Sequence, residues 1–175
     1  MDIKTKLISA AESLFDRHGF TATGIDRLTQ AAGMSSRTLY KHAGSKHLLI
    51  AKVLSERDKR FLRRLDVSSV DALFKALEDW VRVEGCRGCL FLRAYGETGG
   101  DVPEIAEVMA AHKAGVWSKI QEIIALETNG RGNEQLAEQI LILFEGATAT
   151  AIYRGADAVA TARHCAVRLV KQASS

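Results

Sequence analysis

The chain has 175 residues, of which 47% are apolar and 26% charged, with one proline and a formal net charge of +3. This composition is typical of a folded helical protein with one core, or with a small domain joined to a larger one. No apolar run approaches the roughly 18 residues that span a bilayer, and Asp2 and Lys4 open an amphipathic segment that does not resemble a signal peptide. We therefore expect a cytoplasmic protein whose three cysteines are reduced thiols.

The excess positive charge lies at the N-terminal end of the chain. Residues 1–47 contain seven Lys or Arg and four Asp or Glu, so this segment carries the whole net charge of +3 and the remaining residues are neutral overall. A surface that contacts phosphates needs such an excess. A small excess can also segregate by chance, so charge alone leaves both interpretations open.

Apolar residues recur at three- and four-residue steps, which predicts helices, and no segment alternates in the manner of a β-strand. N-cap residues indicate where helices begin, and glycines indicate where they end. In the first third of the chain these signals predict four helices: one from Ile3 that Gly19 ends, one over 25–32 with Thr23 as its N-cap, a short one after Ser35, and a long one from Ser45 to about Leu65.

The same signals predict five further helices. The fifth begins at Ser68 or Ser69 and is broken after Gly85, and the sixth covers Cys89 to Tyr95. The last three follow in order: one with Pro103 in its first turn, one after the turn at 129–133, and one after a break near Arg154. The predicted fold class is all-α, with three small helices, a connecting helix and a five-helix body.

The second and third predicted helices have the layout of a helix-turn-helix. Gly33 and Met34 form a tight turn between them, and Leu39 is the one inward residue of the third helix. Hydroxyl, cationic and imidazole side chains surround Leu39 and can donate to phosphates or base edges. Such a helix suits the major groove of a DNA duplex, although an ordinary solvated helix face would have a similar composition.

From Lys4 to Leu54 the chain resembles the DNA-binding domain of the TetR/AcrR family of transcriptional repressors. The residues that carry the resemblance are Ile8, Ala11, Leu14, Phe15, Gly19, Phe20, Thr23, Ile25, Ala31, Gly33, Ser35, Thr38, Leu39, Tyr40, His42, Ser45, Lys46, Leu48 and Leu49. The resemblance implies a DNA-binding domain over residues 1–47 and a helical effector-binding and dimerisation domain over residues 48–175.

Roles on the DNA face follow from side-chain chemistry and from the resemblance. Lys46 and Thr23, near the starts of two helices, are predicted to contact phosphates. Tyr40 and His42 resemble the family's phosphate-contacting pair, whereas Ser36, Arg37 and Lys41 are predicted to contact bases, with Arg37 suited to guanine. The complete predicted DNA face is Thr23, Ser35, Ser36, Arg37, Thr38, Tyr40, Lys41, His42 and Lys46.

The resemblance also implies that the helical body binds a small effector and that binding spreads the two DNA-binding heads of a dimer. The candidate contacts are Phe61, Leu65, Trp80, Phe91, Tyr95, Met109, His112, Trp117 and Phe144. Each of these side chains is equally suited to an ordinary core. His112 stands out because a polar ring on an apolar stripe needs a partner, which could be Glu97, a ligand or a backbone carbonyl.

Cys86 and Cys89 are separated by two residues, a spacing found in redox pairs and in half of a zinc site. No second Cys or His pair with metal spacing follows, so no metal is predicted. Arg87 and the predicted helix start favour a reactive thiolate, which leaves a redox or electrophile sensor as one interpretation. A small buried filler at Cys89 is the other.

Small residues on the eighth and ninth predicted helices indicate close helix packing across a two-fold axis. The predicted dimer interface is Leu143, Phe144, Ala147, Ala151, Val159, Ala162, Ala166 and Val170. Packing of the same residues within one chain is the alternative.

The predicted function is that of a homodimeric repressor, which binds a palindromic double-stranded DNA operator and releases it when a small-molecule effector binds. No catalytic constellation, phosphate-binding glycine loop or metal cluster is recognisable, so we expect neither an enzyme nor a cofactor. A thiol-based repressor that senses through Cys86 and Cys89 is the alternative.

Overall fold

The computed structural model describes residues 2–173. These residues form nine α-helices and no β-strand, which confirms the predicted all-α class. In chain order the helices are α1 Ile3–His18, α2 Ile25–Ala32, α3 Ser36–Ala43, α4 Lys46–Arg64, α5 Val70–Glu84, α6 Leu90–Glu97, α7 Pro103–Glu127, α8 Glu134–Arg154 and α9 Asp157–Ala173.

Side-chain caps set the starts of several helices. The Oγ atoms of Ser35, Ser45 and Ser69 accept hydrogen bonds from the amides three residues further on, at 3.2, 3.1 and 3.2 Å. Each bond satisfies an amide that the first helical turn cannot bond internally. The predicted caps at these positions are confirmed, because the signal is local and lies entirely within the sequence pattern.

The start of α2 differs from the prediction. Gly24 occupies the N-cap position and offers no side-chain acceptor. Thr23 is fully buried, and its hydroxyl donates to the carbonyl of Gly19 at 2.6 Å. Thr23 therefore does not cap α2; it closes the connection between α1 and α2 from the inside.

The chain divides into two compact units. The first contains the chain up to Lys59 together with Leu90–His112, and the second contains Arg60–Cys89 and the chain from Lys113 onward. Both units are discontinuous in sequence, so they do not coincide with the two functional domains expected from the sequence. The functional boundary after residue 47 stays a prediction.

The first unit packs its small helices around Phe15, Phe20, Leu28 and Leu39, all of them essentially inaccessible to solvent. The rings of Phe15 and Phe20 stack with their centroids 5.0 Å apart. Burial of these side chains is the main source of stability for such short helices, which are marginal in isolation.

The second unit packs around aromatic rings. Phe61 lies edge-on to Trp80 with centroids 5.0 Å apart, and Phe144 lies edge-on to Phe61 and to Phe74 at 6.3 and 5.9 Å. These are the arrangements that aromatic quadrupoles favour. Helix α9 packs against both α5 and α8.

Candidate nucleic-acid interface and effector region

The turn between α2 and α3 is built by a glycine in the left-handed conformation. Gly33 has φ 60° and ψ 46°, and the amide of Met34 bonds the carbonyl of Thr29 at 3.0 Å. This region of backbone space favours glycine, and the bond returns the chain sharply towards α3. The predicted helix-turn-helix geometry is therefore present in the first unit.

Helix α3 buries one side and exposes the other. Leu39 and Ala43 are buried, whereas Ser36, Arg37, Tyr40 and Lys41 are exposed. Thr38 and His42 are half-buried at the edges of this surface. The exposed side thus carries two cations, a hydroxyl and a phenol, which are donors suited to phosphates and base edges. The individual contacts assigned to these residues stay predictions.

Lys52 on α4 supports the end of α3, a role that the sequence reasoning missed. Its Nζ donates to the carbonyls of His42 and Ala43 at 2.9 and 3.0 Å. A cation at a helix C-terminus satisfies carbonyls that have no partner within the helix and complements the helix dipole. A lysine nine or ten residues after the carbonyls gives no local pattern that could reveal this role.

Lys46 begins α4 and is partly exposed. Its Nζ donates to the carbonyl of Thr21 at 3.4 Å. Partial burial lowers the pKa of Lys46 from its ordinary value, and the nearby carboxylate of Glu97 opposes that change. Thr23, in contrast, has no exposed surface, so its side chain cannot contact a phosphate. The inclusion of Thr23 in the predicted DNA face was therefore wrong.

The residues proposed for effector contact fall into both units. Phe91, Tyr95, Met109 and His112 belong to the first unit, and Phe61, Leu65, Trp80, Trp117 and Phe144 belong to the second. Most members of the second set are side chains of the aromatic core described above. Their role in effector binding stays a prediction.

His112 has a carboxylate partner that the sequence did not reveal. Its Nδ1 lies 2.7 Å from Oδ1 of Asp58, and its ring stacks in parallel on Phe91 with centroids 3.7 Å apart. Glu97, which the sequence offered as a partner, instead accepts from backbone amides in the first unit. Asp58 is 54 residues away in sequence, so only the packing of α4 against α7 within the first unit brings the pair together.

Within residues 2–173 the cysteines are thiols that form no disulfide. Cys86 and Cys89 are half-buried in the connection before α6, and Cys165 is exposed on α9. The sulfur of Cys86 lies 4.0 Å from the carbonyl of Val81, at the limit of a weak hydrogen bond. Over residues 2–173 no group of three or more His, Cys, Asp or Glu side chains is arranged to hold a metal ion.

The proposed dimer residues lie mostly inside the chain. Seven of the eight, Phe144, Ala147, Ala151, Val159, Ala162, Ala166 and Val170, are buried in the core of the second unit. Only Leu143 is partly exposed. The small residues therefore allow α8 and α9 to pack closely within their own chain, and these seven side chains are not available to a second chain.

The other side of α8 carries several exposed apolar side chains. Ile142, Ile152 and Tyr153 are all more than half exposed on α8. A groove of about 450 Å³ follows the two helices and is lined by Gln139, Ile142, Leu143, Cys165, Arg168, Leu169 and Gln172. Exposed apolar groups concentrated in this way typically mark a surface for another molecule.

None of the nine described helices combines the length and the apolar character that crossing a bilayer requires.

Comparison with known proteins identifies the N-terminal segment. Residues 7–53 match the family model described as bacterial regulatory proteins, tetR family. No curated protein matches the sequence.

Several solved structures are similar over almost the whole chain. A TetR-family transcriptional regulator from Streptomyces coelicolor is 24% identical, with a TM-score of 0.88 and coverage of 99% of this chain and 96% of that one. A TetR transcriptional regulator from Chloroflexus aurantiacus is 19% identical, with a TM-score of 0.81 and coverages of 97% and 94%. The reduced form of NemR from E. coli is 20% identical, with a TM-score of 0.79 and coverages of 96% and 96%. At these identities the likeness establishes the fold.

Proposed function

Because residues 7–53 match the tetR family model, we propose that the chain is a dimeric repressor of the TetR/AcrR family that binds a palindromic operator and releases it when a small molecule binds the helical body. The observation that carries the proposal is the exposed face of α3, with Arg37, Tyr40 and Lys41 held outward by the burial of Leu39. We propose no catalytic role, and we expect the protein to act in the cytoplasm, where operator DNA lies.

The proposed DNA surface combines two kinds of contact. Lys46 and Tyr40 are assigned to phosphates, which hold the protein in register without reading sequence. Arg37 and Lys41 are assigned to base edges, where a lost contact costs about 1–3 kcal/mol against the cognate site. The net charge of +3 on residues 1–47 supports this surface, because phosphate neutralisation supplies most sequence-independent affinity.

The test begins with selection of an operator from a pool of random duplexes by the purified protein. Lys46→Ala should then weaken binding to operator and to random duplex alike and should reduce the salt slope by about one. Arg37→Ala should flatten the preference at one base pair in each half-site. Arg131→Ala, at an exposed cation in the connection between α7 and α8, is the matched control for loss of one charge. Recovery of no enriched sequence would contradict the proposed function.

A dimer is required because readers of this geometry contact two half-sites. We propose that its interface is the exposed side of α8 and α9, with Ile142 in the groove and Ile152 and Tyr153 exposed further along α8. A two-fold axis there would bring the same apolar surface of each chain together.

The effector is proposed to contact the helical body, and aromatic side chains are the candidates that a small molecule would use. A compound that releases operator should raise the melting temperature, since binding stabilises the folded state. Trp80→Phe should then weaken binding of that compound and leave the affinity for the operator unchanged. Equal compound affinity for the wild type and for variants at all nine candidate residues would show that the effector binds elsewhere.

The second candidate function is a thiol-sensing repressor, favoured by the partial exposure of the reduced cysteines Cys86 and Cys89. A variant with both cysteines replaced by serine distinguishes the two proposals. If it binds operator and still responds to the small-molecule effector, the thiols are dispensable. If oxidant abolishes operator binding by the wild type, reductant restores that binding, and neither changes operator binding by the variant, the thiol sensor is the correct interpretation.

A further inference from the structure

We propose that Glu97 is a positioning residue for DNA binding, whose carboxylate holds the connection between α1 and α2 and thereby places Lys46 on the DNA side of the first unit. The inference rests on the proposed function and adds to it a residue that lies outside the helix-turn-helix. Glu97 is the last residue of α6.

The carboxylate binds two consecutive backbone amides. Oε2 of Glu97 accepts from the amides of Phe20 and Thr21 at 2.7 and 2.8 Å, and the Glu97 carbonyl accepts from the Thr21 hydroxyl at 3.4 Å. Hydrogen bonds to an ionised acceptor are shorter and about twice as strong as neutral ones. Because Glu97 is 76 and 77 residues away from these amides in sequence, the contacts tie α6 to a distant part of the chain.

The absence of a side chain at Gly19 leaves room for the carboxylate where it lies. Gly19 has φ +84°, and a Cβ built on it would lie 2.9 Å from Oε1 and 3.1 Å from Oε2 of Glu97. The inner side of the same connection is fixed by Phe20, which stacks on Phe15, and by Thr23, which bonds Gly19. The connection is therefore held from the core by packing and from the outside by Glu97.

The same peptide segment leads to the proposed phosphate contact. The carbonyl of Thr21 accepts from Lys46 Nζ at 3.4 Å, while the amide of Thr21 is bound by Glu97. Glu97 therefore holds the peptide group before Thr21 and Lys46 contacts the peptide group after it, so the two side chains meet at the backbone of one residue. Displacing the carboxylate would release Thr21 and with it one of the contacts that place the ammonium of Lys46.

Two effects of Glu97 on DNA affinity have opposite signs. Its negative charge repels DNA phosphates, a contribution that salt screens over about 8–10 Å. Its hydrogen bonds position Lys46, a contribution that salt does not screen in the same way. If positioning dominates, removal of the side chain weakens operator binding, whereas an ordinary surface charge would strengthen binding on removal.

The experiment compares Glu97→Ala, Glu97→Gln and a control, Glu104→Ala, in the full chain. Glu104 is an exposed carboxylate in the first turn of α7. The first readout needs no DNA: amide exchange at Phe20 and Thr21, followed by NMR, should speed up about tenfold in Glu97→Ala and not in the control. Glutamine retains a carbonyl acceptor without charge, so it should restore most of the protection.

The second readout is affinity for the operator selected with wild-type protein. Glu97→Ala should bind it about three- to tenfold more weakly, and Glu97→Gln should bind at least as tightly as wild type, because it keeps an acceptor and removes the repulsion. Unchanged exchange at both amides in Glu97→Ala would overturn the proposal. The proposal would also be overturned if the Ala and Gln variants bound the operator equally well and both more tightly than the wild type. If the wild type enriches no sequence at all, the proposed function is wrong. If the wild type selects an operator and Glu97→Ala binds it normally, the proposed function stands and only the role of Glu97 is wrong.

Discussion

The exposed side of α8 and α9 can be tested as a dimer interface with one substitution, Ile142→Glu. Ile142 is 64% exposed beside the groove between the two helices. On the opposite side of α8, Ala147 is only 4% exposed and belongs to the core. The two positions therefore distinguish a surface between chains from packing within one chain, which residue composition alone could not do.

The expected magnitude follows from the exposed area. Burial of a whole isoleucine side chain contributes about 1.5–3 kcal/mol, so covering the exposed part of Ile142 contributes about 1–2 kcal/mol. A two-fold interface contains the residue twice, and loss of about 2–4 kcal/mol raises the dissociation constant about 30- to 700-fold. The cost of burying two carboxylates in the interface adds to this loss.

Sedimentation equilibrium over a range of protein concentrations, with thermal unfolding alongside, provides the measurement. Ile142→Glu should give folded monomers, whereas Ala147→Glu should lose its cooperative unfolding because a carboxylate enters the core. Val83→Glu, at a position on α5 that is 67% exposed, is the matched control and should remain dimeric. A dimer of unchanged affinity in Ile142→Glu would show that the interface lies elsewhere.

Three further predictions concern stability. Arg57→Ala removes a buried cation whose Nη1 lies 2.8 Å from Oε1 of the partly buried Glu12, and it should lower the free energy of unfolding in urea by about 3 kcal/mol, because the carboxylate loses this partner. Phe144→Ala should cost about 3–5 kcal/mol in the same assay, since it opens a cavity among aromatic rings. Asp71 has a pKa below its ordinary value of 3.8, chiefly because Lys75 donates a hydrogen bond to its carboxylate. The ionised carboxylate therefore stabilises the folded protein above pH 3.8, and this contribution is lost as the pH falls through the folded-state pKa. The difference in melting temperature between wild type and Asp71→Asn should therefore be seen near neutral pH and should shrink below about pH 3.8; a difference that does not change with pH would contradict this assignment.

The sequence alone determined the helices and the class of DNA-binding element. Caps such as Ser35 and Ser69 and the turn at Gly33 act over a few residues, so their effect can be read without any knowledge of packing. The apolar period and the position of Leu39 likewise predict which side of α3 faces outward. Local physics was sufficient for these conclusions because every partner lies within one or two helical turns.

The partners of residues far apart in sequence depend on the packing of the whole chain. Thr23 carries the residue type of an N-cap but donates to Gly19 in the interior, and His112 pairs with Asp58 across 54 residues. Ala147 has the small side chain that any close helix contact needs, and the structure uses it within the chain. A side chain's chemistry limits what it can bind, but the free energy of the whole core selects among the candidates, and that selection depends on contacts far apart in sequence.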